Sequence, residues 1–108
     1  MSNKERKLKI MTIFKECIPL FSVLSDEKRQ EIVIILSETP EGLNVNAITE
    51  KIELSRPAVS HHLKILKQAG IVEVMRKGIE NYYFLILKES VENLKKLIMT
   101  VEENCELK

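Results

Sequence analysis

The sequence predicts a mainly helical single domain with one small β-hairpin. Three observations predict this fold class. Apolar residues recur at spacings of three and four over most of the chain, as amphipathic helices require. Residues 71–87 instead hold two short β-branched and aromatic runs around Lys77-Gly78, a pattern typical of a hairpin. The length of 108 residues suits one hydrophobic core and not two.

The first two helices are predicted from the apolar pattern and its polar borders. Over residues 5–24 apolar side chains cover most of the helical wheel, which is more apolar surface than one small core can hide. Pro19 should kink or restart this helix, because it cannot donate to the preceding turn. Ser25 is expected to cap the second helix, DEKRQEIVIILSE, whose first-turn acids suit the helix dipole.

Two shorter helices and a final long one complete the predicted order. NVNAITEKI predicts a short third helix, and SRPAVSHHLKILKQA predicts a fourth that ends at Gly70, the usual place for a left-handed cap. The hairpin follows, and then a last helix closes the chain. An apolar seam with alternating spacings of three and four runs along that helix through Val91, Leu94, Ile98, Val101 and Cys105.

Composition and charge exclude several classes of protein. The 17 basic and 16 acidic residues nearly cancel, so an anion-binding surface must come from local clustering. The most apolar N-terminal run is broken by Lys15 and Glu16, which argues against a membrane span. Two widely separated cysteines do not form a secreted disulfide framework. We therefore expect a cytoplasmic protein that does not contact a membrane.

The fourth helix separates an apolar face from a basic one. Val59, Leu63 and Leu66 centre the apolar face. The opposite face has three cations and no acid: Arg56, Pro57, Ser60, His61, Lys64, Lys67 and Gln68. A solvated helix face normally mixes charge signs, so this face indicates an anionic partner. The alternative is a helix that is basic by chance.

The two adjacent histidines are predicted to differ. His61 lies at the margin of the polar face, within reach of a backbone or a base, whereas His62 lies on the apolar face and should be a hydrogen-bonded core residue. Neither shares its helix with a Cys, Ser or acid at a spacing that builds a nucleophile–base pair. The sequence also lacks a glycine-rich phosphate loop, a metal-ligand cluster and paired catalytic acids, so we do not expect an enzyme.

The order of elements predicts a winged helix-turn-helix, with residues 44–69 as the helix-turn-helix and 71–87 as the wing. Such a helix enters the major groove of DNA, about 12 Å wide, while lysines and arginines neutralise phosphates. The sequence therefore predicts a transcriptional regulator that binds double-stranded DNA. A second hypothesis is a protein-interaction module, such as an antitoxin or corepressor subunit, which would expose an apolar patch rather than a cationic face.

Three stretches resemble the ArsR/SmtB family of winged-helix transcriptional repressors: LFSVLSDEKRQEIVIIL, SRPAVSHHLKILKQAGIVE and RKGIENYYFL. The resemblance implies a homodimer joined through the first and last helices, residues 1–24 and 88–108, on a pseudo-palindromic operator that an inducer releases. The DNA-reading positions that it implies are Arg56, Pro57, Ser60, His61 and Lys64, with Arg76 and Lys77 on the wing. Two positions depart from the family pattern. Pro57 removes a side-chain donor at one base-facing point, and Ile79-Glu80 stand where the family commonly has another basic residue, so we expect a weaker wing contact.

The sensor is the open question of the sequence. The positions of the family's metal-binding cysteine pair hold Asn44 and Asn46, whose amides do not replace thiolates, so no metal site is expected. Cys17 and Cys105 remain as a candidate thiol sensor, acting through a disulfide, a persulfide or a thiophilic metal or metalloid. The alternatives are that both cysteines are small packing residues or that the repressor has no small-molecule sensor. No other cofactor is expected.

Overall fold

The computed structural model describes residues 2–107, and within them it has five helices and one two-stranded antiparallel sheet. The elements are α1 (Asn3–Leu24), α2 (Glu27–Ser37), α3 (Val45–Thr49), α4 (Arg56–Gln68), β1 (Val72–Lys77), β2 (Glu80–Leu85) and α5 (Lys88–Asn104). The predicted fold class, mainly helical with a hairpin before the last helix, is confirmed. Residues 1 and 108, the outer bounds of the predicted dimerisation helices, lie outside the described range.

Polar caps begin most of the helices, but one predicted cap is wrong. The carboxylate of Asp26, not Ser25, caps α2 by accepting from the backbone N–H groups of Lys28 and Arg29 at 2.9 and 3.1 Å. Ser25 instead ends α1, where its hydroxyl donates to the carbonyl of Ser22. The two adjacent residues are both good caps, and the extended backbone of Asp26 decides between them.

We predicted that Pro19 would kink or restart helix α1, and the restart is wrong. Helix α1 continues as one helix to Leu24. Proline removes only one donor from the helical ladder, and Cys17, Leu20 and Val23 on either side of it are buried. Packing of this face keeps the helix continuous.

The main core lies between the C-terminal half of α1, α2, α3, α4 and the hairpin. Val59, Leu63 and Leu66 are fully buried there, which confirms the predicted apolar face of α4. A smaller cluster of Ile13, Cys17 and Leu97 joins α1 to α5. The basic face of α4 is thus backed by the most tightly buried part of the molecule.

Helices α1 and α5 pack against each other along an arm that extends beyond the main core. The molecule measures 55 × 26 × 20 Å, and its radius of gyration of 17.0 Å exceeds the roughly 13 Å of a compact domain of this length. No helix within residues 2–107 combines the length and the apolarity that crossing a membrane requires. The elongated shape leaves the arm with little of the core to cover it.

The exit from α4 sets the direction of the hairpin. Gly70 has a φ of +74°, and the N–H of the buried Ile71 donates to the carbonyl of Leu66 at 3.0 Å, closing a Schellman cap as predicted. In the hairpin Lys77 pairs with Glu80, so the turn is Gly78-Ile79, one residue later than predicted. Gly78 at φ +64° supplies the positive φ that such a two-residue turn needs at its first position.

A short segment before α3 joins the wing to the helix-turn-helix. Leu43 and Tyr83 exchange two backbone hydrogen bonds of 3.0 and 2.8 Å. Beside them, Gly42 has a φ of +94°, and a Cβ at this position would lie 2.8 Å from the carbonyl oxygen of Tyr83. Only glycine allows this close approach.

Candidate nucleic-acid interface

The basic face of α4 points to solvent along its whole length. Its start is fixed by Ser55, whose hydroxyl accepts from the backbone N–H of Ala58 at 3.3 Å, and by Pro57 in the first turn, where no donor is lost. The side chains of the predicted DNA-contact residues on this helix are all exposed: Arg56, Pro57, Ser60, His61, Lys64 and Lys67. The helix therefore presents a rigid, acid-free surface.

The wing cations Arg76 and Lys77 are also exposed, and local contacts orient them. The Nε of Arg76 donates to the carbonyl of Gly78 at 3.2 Å. The Nζ of Lys77 lies 5.1 Å from the centre of the Tyr82 ring, within cation–π range. Next to them Ile79 is 90% exposed at the tip of the turn.

A cleft of about 180 Å³ joins the start of α4 to the wing. It is lined by Asn44, Val45, Asn46, Arg56, Ile79, Glu80, Asn81 and Tyr83. Arg56 on the helix and the wing tip thus share one continuous surface. The cleft thus joins the start of α4 to the hairpin that carries Arg76 and Lys77, although these two cations do not line it.

Two polar residues of this cleft have contacts that sequence reasoning missed. The amide of Asn44 donates to the carboxylate of Glu80 at 3.0 Å, and the Tyr82 hydroxyl donates to the same oxygen at 3.3 Å. From the sequence, Asn44 is only the residue that stands in place of a metal-binding cysteine, and Glu80 is only an acid that is expected to weaken the wing contact. Nothing in the local pattern indicates a contact between residues so far apart in the chain.

The histidines differ as predicted. His61 is exposed, and its ring centre lies 6.0 Å from that of His62. His62 is partly buried, with its Nδ1 3.4 Å from Nη1 of Arg29 on α2. The predicted hydrogen bond of His62 is confirmed, but the prediction of a core residue is wrong, because His62 is only half-buried and lies outside both core clusters.

Within one subunit the two cysteines occupy different surroundings. Cys17 is buried against Ile13 and Leu97, and burial raises the pKa of its thiol, as does the neighbouring Glu16 carboxylate. Cys105 is exposed beside Met11 and lies in a hollow at the other end of α1. From Met11 to Cys17 the helix rises about 9 Å. A disulfide between them thus has to form between subunits.

Helix α5 has two neighbouring apolar stripes, and the predicted seam is the one that is more exposed in the single subunit. Leu97 and Thr100 face α1 and are buried, whereas Val91, Ile98 and Cys105 are exposed. Leu94 and Val101 lie between the stripes and are half-buried. A spacing of three and four fits both stripes, and packing on α1 selects the one through Leu97.

A rigid helix with a free basic face, followed by a basic hairpin that shares its surface, defines a winged helix-turn-helix DNA-binding protein. A family model described as the bacterial regulatory protein arsR family matches residues 26–74. An uncharacterized HTH-type transcriptional regulator of Methanocaldococcus jannaschii is 30% identical over 93 residues, which cover 86% of this chain and 99% of that protein. The chain belongs to the ArsR family.

Other similar proteins support the assignment to this family. The arsenical resistance operon repressor of Staphylococcus aureus is 32% identical over 95 residues, with 85% of this chain and 88% of that protein covered. An ArsR-like regulator from Rhodococcus sp. RHA1 has a TM-score of 0.76 at 27% identity, covering 86% and 84% of the two chains. A homodimeric winged helix-turn-helix domain of Mycobacterium bovis shares the fold at a TM-score of 0.63, 24% identity, and coverage of 95% and 88%. The protein is thus a DNA-binding transcriptional regulator, and the prediction that it is not an enzyme is confirmed by its family.

Proposed function

We propose that the protein is a homodimeric repressor that places α4 of each subunit in the major groove of a pseudo-palindromic operator. The observation that carries this proposal is the exposed basic face of α4, whose first residue, Arg56, shares a cleft with Ile79 and Glu80 of the hairpin that also carries the exposed Arg76 and Lys77. Helix residues of the first turns read base edges, and Lys64, Lys67 and the wing cations neutralise phosphates. Two copies related by a two-fold axis reach half-sites about 34–36 Å apart.

The arm formed by α1 and α5 supports the dimer. A continuous stripe of exposed apolar side chains follows α1 through Leu8, Met11, Phe14, Ile18 and Phe21. On α5, which packs on α1, Val91 and Ile98 are exposed apolar side chains as well. Contiguous apolar surface of this kind marks protein–protein contacts, and burying it between two copies removes it from water. The homodimeric Mycobacterium bovis domain of the same fold is in line with this arrangement.

For the inducer we propose a chemical class, an agent that reacts with thiols or binds to them. A disulfide or a shared thiophilic ion at Cys17 and Cys105 requires the arm of one subunit to meet that of another, and it also requires the buried Cys17 to become accessible. We therefore favour packing as the role of Cys17 and keep Cys105 as the candidate sensor residue. A repressor without a small-molecule sensor is the alternative. Action on DNA supports a cytoplasmic location.

The test is a DNA-binding titration at several salt concentrations with two charge-matched variants. Lys64→Glu reverses a charge on the basic face, while Lys88→Glu reverses an exposed charge at the start of α5. We expect Lys64→Glu to weaken binding at least about tenfold and to flatten the dependence on salt, because phosphate contacts release counterions. Lys88→Glu should stay within about threefold of wild type.

Two outcomes contradict the proposal. Equal losses from Lys64→Glu and Lys88→Glu would show that net charge matters and that the α4 face does not. Unchanged affinity in Lys64→Glu with an intact fold would favour the protein-interaction module instead.

A further inference from the structure

One side chain joins the start of α3 to the wing. The Oδ1 of Asn44 accepts from the backbone N–H of Ala47 at 2.8 Å and so caps α3. The Nδ2 of the same amide donates to Oε2 of Glu80 at 3.0 Å. Both ends of the Asn44 amide are therefore used, and together they bridge the helix-turn-helix and the hairpin.

Glu80 is held from the wing side as well. The hydroxyl of Tyr82 donates to Oε2 of Glu80 at 3.3 Å, and the ring of Tyr82 lies beneath the ammonium of Lys77. Lys77 is also the residue paired with Glu80 across the hairpin. A chain of contacts thus runs from α3 through Asn44, Glu80 and Tyr82 to a cation of the wing.

This chain of contacts acts where the hairpin is least supported. A two-stranded hairpin is marginally stable alone, and its tip is the part that must meet DNA. The backbone pair between Leu43 and Tyr83 anchors the strands farther from the turn. The Asn44–Glu80 hydrogen bond lies closer to the tip, three residues nearer to the turn along β2 than Tyr83.

The sign of the charge gives this arrangement a testable consequence. Glu80 is exposed in the cleft that also contains Arg56, on the surface proposed to face phosphates. A carboxylate there repels DNA if it has no other role, so its removal alone should tighten binding. A carboxylate that orients the wing has the opposite effect, because its removal releases the wing cations.

We propose that Glu80 is a positioning residue that holds the wing against α3, so that Arg76 and Lys77 reach phosphates while α4 occupies the groove. This inference rests on the proposed DNA-binding function. It assigns to Asn44 a second role beyond capping, as the donor that fixes Glu80. The acid at this position then strengthens the wing contact.

The experiment uses Glu80→Ala, Glu80→Gln and Asn44→Ser in salt-dependent DNA titrations. Serine still caps α3 but lacks the amide donor. Glutamine removes the charge but keeps an oxygen that accepts from Asn44. We expect Glu80→Ala and Asn44→Ser to weaken binding about three- to tenfold, since the link is exposed. The slope of log K against log salt should shrink by about one to two units for each subunit, because up to two wing cations per subunit lose their phosphates.

Two further results are expected. Glu80→Gln should restore binding to within about twofold of wild type, since its oxygen keeps the hydrogen bond. The double variant Asn44→Ser/Glu80→Ala should be no weaker than either single variant, because both remove one shared contact. Thermal midpoints within about 2 °C of wild type would show that the fold is intact.

Three results would contradict the positioning role of Glu80. Tighter binding by both Glu80 variants would mean that the carboxylate only repels DNA, and additive losses in the double variant would mean that the two residues act separately. Either result overturns the positioning role while wild type still binds DNA. Absence of DNA binding by wild type overturns the proposed function and this role with it.

Discussion

The Nη1 of Arg29 lies 3.4 Å from the Nδ1 of His62, and this contact joins α2 to the partly buried side of helix α4. A guanidinium only donates, so in this contact Nδ1 of His62 is the acceptor. The same guanidinium donates to the carbonyl of Ser22 at 3.3 Å and lies 3.6 Å from the carboxylate of Asp26. One side chain thus links the end of α1, the start of α2 and α4.

Removing this link should lower the stability of the whole domain. We expect Arg29→Ala to reduce the free energy of unfolding by about 1–3 kcal/mol, because it removes the contact to the ring of His62 and one of the two donors to the carbonyl of Ser22. Arg29→Lys keeps the charge but not the fork of donors. Its free energy of unfolding should lie between those of wild type and Arg29→Ala. Urea denaturation measures both. A loss below about 0.5 kcal/mol for Arg29→Ala would mean that the buried, unpartnered Nε of Arg29 offsets the other contacts.

The carboxyl of Asp26 should make stability sensitive to acid. Its pKa is lowered from 3.8, chiefly by the hydrogen bond from the backbone N–H of Arg29 and also by the Arg29 charge, against partial desolvation. A lowered folded pKa means that the unfolded chain binds the proton first, so stability is present above pH 3.8 and is lost as pH falls through the folded value. Asp26→Asn still caps α2 and should lose less stability in this range.

Urea midpoints between pH 7 and pH 3 measure that difference. Glu27→Gln, which removes the exposed carboxyl one residue farther along, is the matched control. If Asp26→Asn and wild type lose stability in parallel, Asp26 does not carry the acid sensitivity.

The two thiols should react with alkylating agents at very different rates. Cys105 is exposed, whereas Cys17 is buried and the raised pKa of its thiol keeps it protonated at neutral pH. We expect one fast thiol per chain, lost in Cys105→Ser, and a second thiol that reacts only after unfolding. Two fast thiols in the native protein would contradict the position of Cys17 in the arm.

The sensor hypothesis has its own measurement. DNA titrations with and without oxidant, a sulfide donor and thiophilic metals should be compared for wild type, Cys17→Ser and Cys105→Ser. If Cys105 is the sensor, a treatment that weakens wild-type binding will leave Cys105→Ser unaffected. Affinity that no treatment changes would exclude a thiol sensor.

Disrupting the apolar stripe of α1 should separate the subunits. Ile18 is 56% exposed on that stripe, so Ile18→Glu places a charge where the proposed interface has to be dry. We expect a monomer by light scattering, unchanged helical content and a loss of operator affinity of at least about tenfold, since one half-site is then bound alone. Thr12→Glu on the polar side of the same helix is the control. A dimer that survives Ile18→Glu would place the interface elsewhere.

The sequence was sufficient for the elements and for the exposed face of α4, because both depend on local periodicity and on caps. It failed at positions where two local choices were equally good. Ser25 and Asp26 are both competent caps, and the stripe of α5 through Leu97 that packs on α1 was not predicted beside the one through Ile98. The links Asn44–Glu80 and Arg29–His62 join residues 36 and 33 positions apart, and no local pattern encodes such pairs.

Gly42 places a strict condition on future variants of this protein. The backbone of the segment before α3 passes so close to Tyr83 that even one added methyl group would collide with its carbonyl. Alanine at position 42 would therefore push the hairpin away from α4 without altering any of the proposed DNA-contact side chains. An operator-binding defect could then arise from a site that a survey of contact residues would never examine.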